Sequence, residues 1–206
     1  MDESPPLSAD ELDRSDALID AWLGRQLAQN PVLASVDRDP DVGPTERRWH
    51  LRVLGEEKDT FTLRFTLRQR MLHYETYVMP APEENHDAFF EHLLRRNRRL
   101  VGATFCIGEE DAVFLVGAVP ARSVDDAELD RLLGTLWAAV EQCFGSAVRI
   151  GFASRFTDCP LLLYFMLFRS TLVFRPGGRY VGDRSGKCDP GWTGHRADTR
   201  RGVGRP

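Results

Sequence analysis

Hydrophobic positions in this sequence switch between a helical and a strand period, and each switch marks an element. Ser8-Ala9-Asp10-Glu11 has the spacing of a capping box, in which a serine caps the first turn and a glutamate three residues on reaches back. Leu12, Ile19, Trp22, Leu23 and Leu27 then recur at helical spacing. The helix is predicted to stop near Asn30-Pro31, because the residue before a proline disfavours the α conformation. Asp, Pro and Gly crowd the stretch from Asp37 to Thr45, which predicts a loop. Trp49, Leu51 and Val53 next alternate with His50 and Arg52. After the turn Gly55-Glu56-Glu57-Lys58-Asp59, Phe61, Leu63, Phe65 and Leu67 alternate strictly with Thr62, Arg64, Thr66 and Arg68. Period two of this kind marks a sheet with one buried and one wet face. A third strand is predicted from Met71 to Met79 and is stopped by Pro80 and Pro82.

A second helix is predicted from Glu83 to Arg99, with acidic residues at its start and arginines at its end complementing the helix dipole. Phe89, Phe90, Leu93, Leu94 and Leu100 supply its apolar stripe. Two further strands, Gly102–Ile107 and Ala112–Val119, are dense in apolar residues and are expected toward the middle of the sheet. Ser123 is expected to cap a third helix, and Gly145 to close it. The order α-βββ-α-ββ-α predicts an α+β fold, an antiparallel sheet with helices packed on one face.

Charge changes this picture in one respect. Residues 159–206 hold nine basic and three acidic side chains, whereas residues 1–158 hold 18 basic and 28 acidic ones. An acidic body argues against a nucleic-acid platform, which needs clustered Lys and Arg. The acidic N-terminus has no apolar h-region, so no secretory leader is predicted. Cys106, Cys143, Cys159 and Cys188 stand far apart without a CxxC pair and are expected to be free thiols in a reducing cytoplasm.

Candidate chemistry is sparse. The sequence has no GxGxxG, no GxxxxGK[ST] and no GxSxG run. Glu83 and His86 have the i, i+3 spacing of a carboxylate-bridged metal site, but the first and third helices offer no histidine to complete it. A solvated acidic helix start explains the pair, and no metal or other cofactor is expected. Arg95-Arg96-Asn97-Arg98-Arg99 reads either as a dipole complement or as a site for a phosphate or an acidic peptide partner. Cys106 is expected to be an inert strand residue. Trp22 and Trp137 lie within apolar stripes, where they read as core or as part of an exposed patch for partner capture.

Several strings together carry a family resemblance. Leu93-Leu94-Arg95-Arg96-Asn97, Phe114-Leu115-Val116-Gly117, Val119-Pro120, the run from Asp125 to Gly134, and Gly151-Phe152-Ala153-Ser154 resemble the YbjN family in its actinobacterial form. The resemblance implies a fold like that of type III secretion chaperones, which form homodimers and hold an extended partner segment. It also implies a role in sensory-transduction regulation, and it brings no catalytic residues. On this basis residues 1–8 are expected to be disordered and residues 9–155 to form the YbjN-like domain. Residues 156–206 are expected to be an atypical tail, disordered or a frameshifted extension of a GC-rich gene.

The function expected is a non-enzymatic, cytoplasmic, chaperone-like module, a homodimer with a further protein partner and no nucleic acid. Its partner contacts are expected at Trp22, Arg95, Arg96, Arg99, Trp137 and Phe144. The alternatives are a small-molecule enzyme with a dispersed site, or a membrane-peripheral protein held by the apolar segment from Leu161 to Phe174. That segment is too short to span a bilayer, which takes about 20 residues, so membrane insertion is not expected.

Overall fold

The capping box forms as its spacing dictates: the Glu11 amide donates to Ser8 Oγ while the Ser8 amide donates to the Glu11 carboxylate. It opens α1, Ala9–Gln29, which ends at Asn30 before the proline. The computed structural model describes residues 5–40 and 42–157, so the expected tail from residue 158 onward lies outside the described residues. After α1 come β1 (Leu33–Asp39), β2 (Glu46–Leu54), β3 (Thr60–Arg68) and β4 (Met71–Met79). Then follow α2 (His86–Asn97), β5 (Thr104–Ile107), β6 (Val113–Pro120), α3 (Asp126–Gly151) and the short α4 (Ala153–Thr157).

The α+β class holds, with an antiparallel sheet of six strands in the order β1-β2-β3-β4-β6-β5. Register explains why one face is buried. Trp49 pairs with Phe65 and Phe65 with Tyr74, while Leu51 pairs with Leu63, Leu63 with Thr76 and Thr76 with Leu115. All of these are essentially fully buried. Burying a leucine of this kind stabilises by roughly 1.5–3 kcal/mol. The opposite face carries Arg52, Thr62, Arg64, Arg68 and His73 toward β1, and Tyr77, Phe114 and Val116 toward β5.

Five expectations need correction. β1 was not anticipated, and its second half falls in the stretch expected to be loop. Its pattern hides because Arg38 takes a helix-side position beside Trp49, lying 5.4 Å over the indole and binding Asp16 and Asp20 of α1. α2 begins at His86, since Asn85 before it stands in the left-handed conformation (φ 52°), while the amides of Glu83 and Glu84 bond the Gly151 carbonyl. Asp125, not Ser123, caps α3 by accepting the Glu128 amide at 2.8 Å, and the helix runs through Gly145 to Gly151. Finally, β5 is the short edge strand and only β6 is interior.

Both edges resist added strands. The Asn97 side-chain amide accepts the Phe105 N–H at 2.8 Å and donates to its carbonyl at 3.1 Å, standing in for a neighbouring strand on β5. β1 is charged and bulged, two devices that discourage pairing.

The β2–β3 turn is clamped to α3. The Glu141 carboxylate accepts the amides of Glu56 and Glu57 at 2.7 Å each and that of Lys58 at 3.3 Å. Successive N–H groups converging this way form an anion nest. Gly55 makes the approach possible, because a Cβ there would lie 2.2 Å from Glu141 Oε1. Trp137 adds a hydrogen bond from Nε1 to the Leu54 carbonyl at 2.9 Å. Lys58 Nζ donates to the Tyr77 and Val78 carbonyls at 2.7 Å, and burial pushes its pKa down to about 8. Replacing Glu141 by alanine strands three amides, and a loss of about 1–3 kcal/mol is expected in urea unfolding. Glu141→Gln, which keeps one acceptor oxygen, should fall between the two, and an unchanged midpoint in the alanine variant would contradict the clamp.

Candidate functional site

His92, Arg95, Arg96 and Arg99 stand at i, i+3, i+4 and i+7 of α2 and its C-terminal extension, the spacing that collects residues on one helix face. Phe89 and Leu93 bury the adjoining stripe and α2 packs against α3. Between the two helices opens a cleft of about 260 Å³, edged by those four polar residues and Gln142. Leu100, Phe105 and Ala139 form its apolar part. Among the described residues no carboxylate lines it.

One polar knot joins the helices inside this cleft. Arg96 Nε donates to His92 Nε2 at 3.1 Å, which requires that nitrogen to be unprotonated. Ser146 Oγ lies 2.9 Å from the same nitrogen and donates to the Cys143 carbonyl at 3.0 Å. Burial, then the Arg96 charge, holds the His92 pKa below its ordinary value. The Ser146–His92 contact lacks the orienting carboxylate that would make it a nucleophile–base pair, since no acidic group bonds His92 among the described residues. Cys143 beneath it is fully buried, with its thiol pushed up to about 11 by burial.

The outer face of α2 is different. Phe90 and Leu94 lie in a shallow depression with Asp87, Glu91, Arg95 and Arg98, and Leu94 is 67% exposed. Val101, just beyond the helix, is 74% exposed. Charge pairing is incomplete at this end of α2. Ten of the 17 described arginines sit in salt bridges, Arg95 with Glu91 among them. Arg98 and Arg99 have no carboxylate partner among the described residues.

Of the six expected partner residues, Arg95, Arg96 and Arg99 meet at this cleft, and Trp22, Trp137 and Phe144 lie elsewhere. Arg95 and Arg99 are exposed on α2 and its extension, and Arg96 is half-buried in the knot. Trp22 is a correction: it is 1% exposed, its Nε1 donates to Asp130 at 2.8 Å, and it offers no surface to a partner. Trp137 is half-buried against the β2–β3 turn and borders a separate recess of about 300 Å³ with Gln26, Asn30 and Val32. Phe144 lies beneath the Lys58 ammonium, 5.7 Å away. His92, Leu94 and Gln142 were missed, although the spacing of His92 with the arginines was visible in the sequence. Glu83 is engaged by Arg155 at 2.8 Å and not by His86. No helix among the described residues is long and apolar enough to cross a membrane.

Comparison with known proteins agrees with the resemblance seen in the sequence. Residues 50–147 match the model of the YbjN family, described as "Putative bacterial sensory transduction regulator". An uncharacterised protein of Mycobacterium leprae is 34% identical over 100 residues, covering 48% of this chain and 54% of its own. Uncharacterised proteins of Mycobacterium bovis and Mycobacterium tuberculosis are 32% identical over the same length, covering 48% of this chain and 55% of theirs. The matched region thus spans about half the length of these relatives.

The knot makes stability depend on pH. Because the folded-state pKa of His92 lies below its ordinary 6.5, the unfolded chain takes up the proton first. The contribution is complete above pH 6.5 and is lost as pH falls through the folded value. Urea unfolding at about pH 7.5 and about pH 5 should show a drop that shrinks in His92→Gln, with His73 supplying part of the remainder. An equal drop in both proteins would contradict the assignment.

Proposed function

We propose that this chain, which matches the YbjN model over residues 50–147, is a non-enzymatic regulatory module acting in the cytoplasm, binding an acidic, amphipathic protein segment along the outer face of α2. The observation that carries this reading is Leu94, 67% exposed beside Arg98 and close in sequence to Arg99, two guanidinium groups without carboxylate partners among the described residues. A single exposed leucine is ordinary. An exposed leucine with a half-buried phenylalanine and unneutralised arginines gives a partner both apolar anchors and electrostatic orientation. An otherwise acidic body would repel an acidic segment elsewhere, which favours this face. A second copy of the chain is the proposed occupant of the uncovered sheet face, where Tyr77 meets Phe114 edge to face at 5.6 Å beside Val116.

A photo-crosslinking residue placed at position 94 in the native host should join one predominant protein through an acidic segment. The same residue at position 14, on exposed α1, should not. Equal, diffuse crosslinking from both positions would overturn the reading. Light scattering tests the second copy: a dimer that Tyr77→Asp converts to monomer is expected, and a monomeric parent chain would exclude it.

A further inference from the structure

We infer that the α2–α3 cleft binds a small phosphate monoester, with its phosphoryl oxygens taken by Arg96, Arg99 and Gln142 and its organic part resting on Leu100 and Phe105. This concerns the inner side of α2, and Arg99 is the residue it shares with the outer-face reading. The polar groups on the cleft wall are the imidazole of His92, three guanidinium groups and one side-chain amide, with no carboxylate among them. Donors of this kind, unopposed by acceptors, suit an anion.

Charge accounting narrows the class. Arg95 is already offset by Glu91 at 2.5 Å. Arg96 spends its Nε on a neutral imidazole, so its positive charge remains. Arg99 has no ion-pair partner among the described residues. The cleft thus holds about two uncompensated positive charges, against roughly half a negative charge from the carbonyl end of α2. The excess matches a dianion better than a single carboxylate.

Space and surface narrow it further. A cleft of about 260 Å³ is larger than a bare phosphate needs, and part of its lining is apolar. The bound species should therefore carry an apolar or planar group that Leu100, Phe105 and Ala139 take from water. A long polyanion fits poorly, because the surrounding body is acidic.

Calorimetric titration of the full chain with phenyl phosphate tests this, with inorganic phosphate and phenol as comparisons. Saturable binding of phenyl phosphate, at least tenfold tighter than of either comparison, is expected. Arg99→Ala should weaken it by at least tenfold, and because Arg99 is exposed and unpaired the variant should unfold at the parent's urea midpoint. Arg52→Ala, which removes an exposed arginine from the far face of the sheet, should leave binding unchanged. Absence of saturable binding, or equal losses in the two variants, would overturn the site. A lipid headgroup presents the same phosphate chemistry. Sedimentation with phosphatidic acid vesicles, in a chain that ignores phenyl phosphate, would overturn the small-molecule assignment.

Discussion

The Glu141 carboxylate, seated in the amides of Glu56, Glu57 and Lys58, fixes α3 against the sheet, and the placement of α2 follows from it. A helix lying on a sheet through apolar contacts alone can slide, since burial is not directional. Three amides converging on one carboxylate allow one position. Gly55 and Gly145 make room on either side: a Cβ at Gly145 would come within 2.3 Å of the Glu57 carboxylate. With α3 fixed, its last carbonyl receives the amides of Glu83 and Glu84, which pins the start of α2. Asn97 pins the other end to β5. Gly151 lets Phe89 and Pro82 approach closely, each 2.8–2.9 Å from where a Cβ would stand. The two faces of α2 are held in place by these contacts, one turned into the cleft and one outward.

Much of this frame was legible in the sequence because local pattern and tertiary demand agree there. The strict alternation from Phe61 to Leu67 survives as a buried face, and the Ser8 capping box forms as written. Where reading failed, a polar or small residue occupied a place that pattern assigns to something else. Arg38 fills a helix-side position in β1 because Asp16, Asp20 and the Trp49 ring satisfy its charge. Gly145 suggested a stop, yet it is a packing glycine inside α3, where Ala147 and Val148 continue the apolar stripe.

The site was half legible. The arginine run stood out by composition, but which arginines are spent depends on Glu91, His92 and Ser146, and only geometry assigns those partners. Trp22 illustrates the opposite failure, since an aromatic residue on a helical stripe cannot be placed inside or outside by periodicity alone. Its bond to Asp130 puts it inside. The outcome is a domain whose hydrogen-bonding edges are guarded and whose second helix ends on two arginines without carboxylate partners among the described residues. Such an arrangement favours recognition at α2 over strand addition.

Hydrogen–deuterium exchange on the full chain, free and in its native complex, tests that claim most directly. The account predicts added protection over residues 86–100, with little change along β1 and the basic part of the uncovered sheet face. Protection gained along the β1 edge, with α2 unchanged, would contradict it.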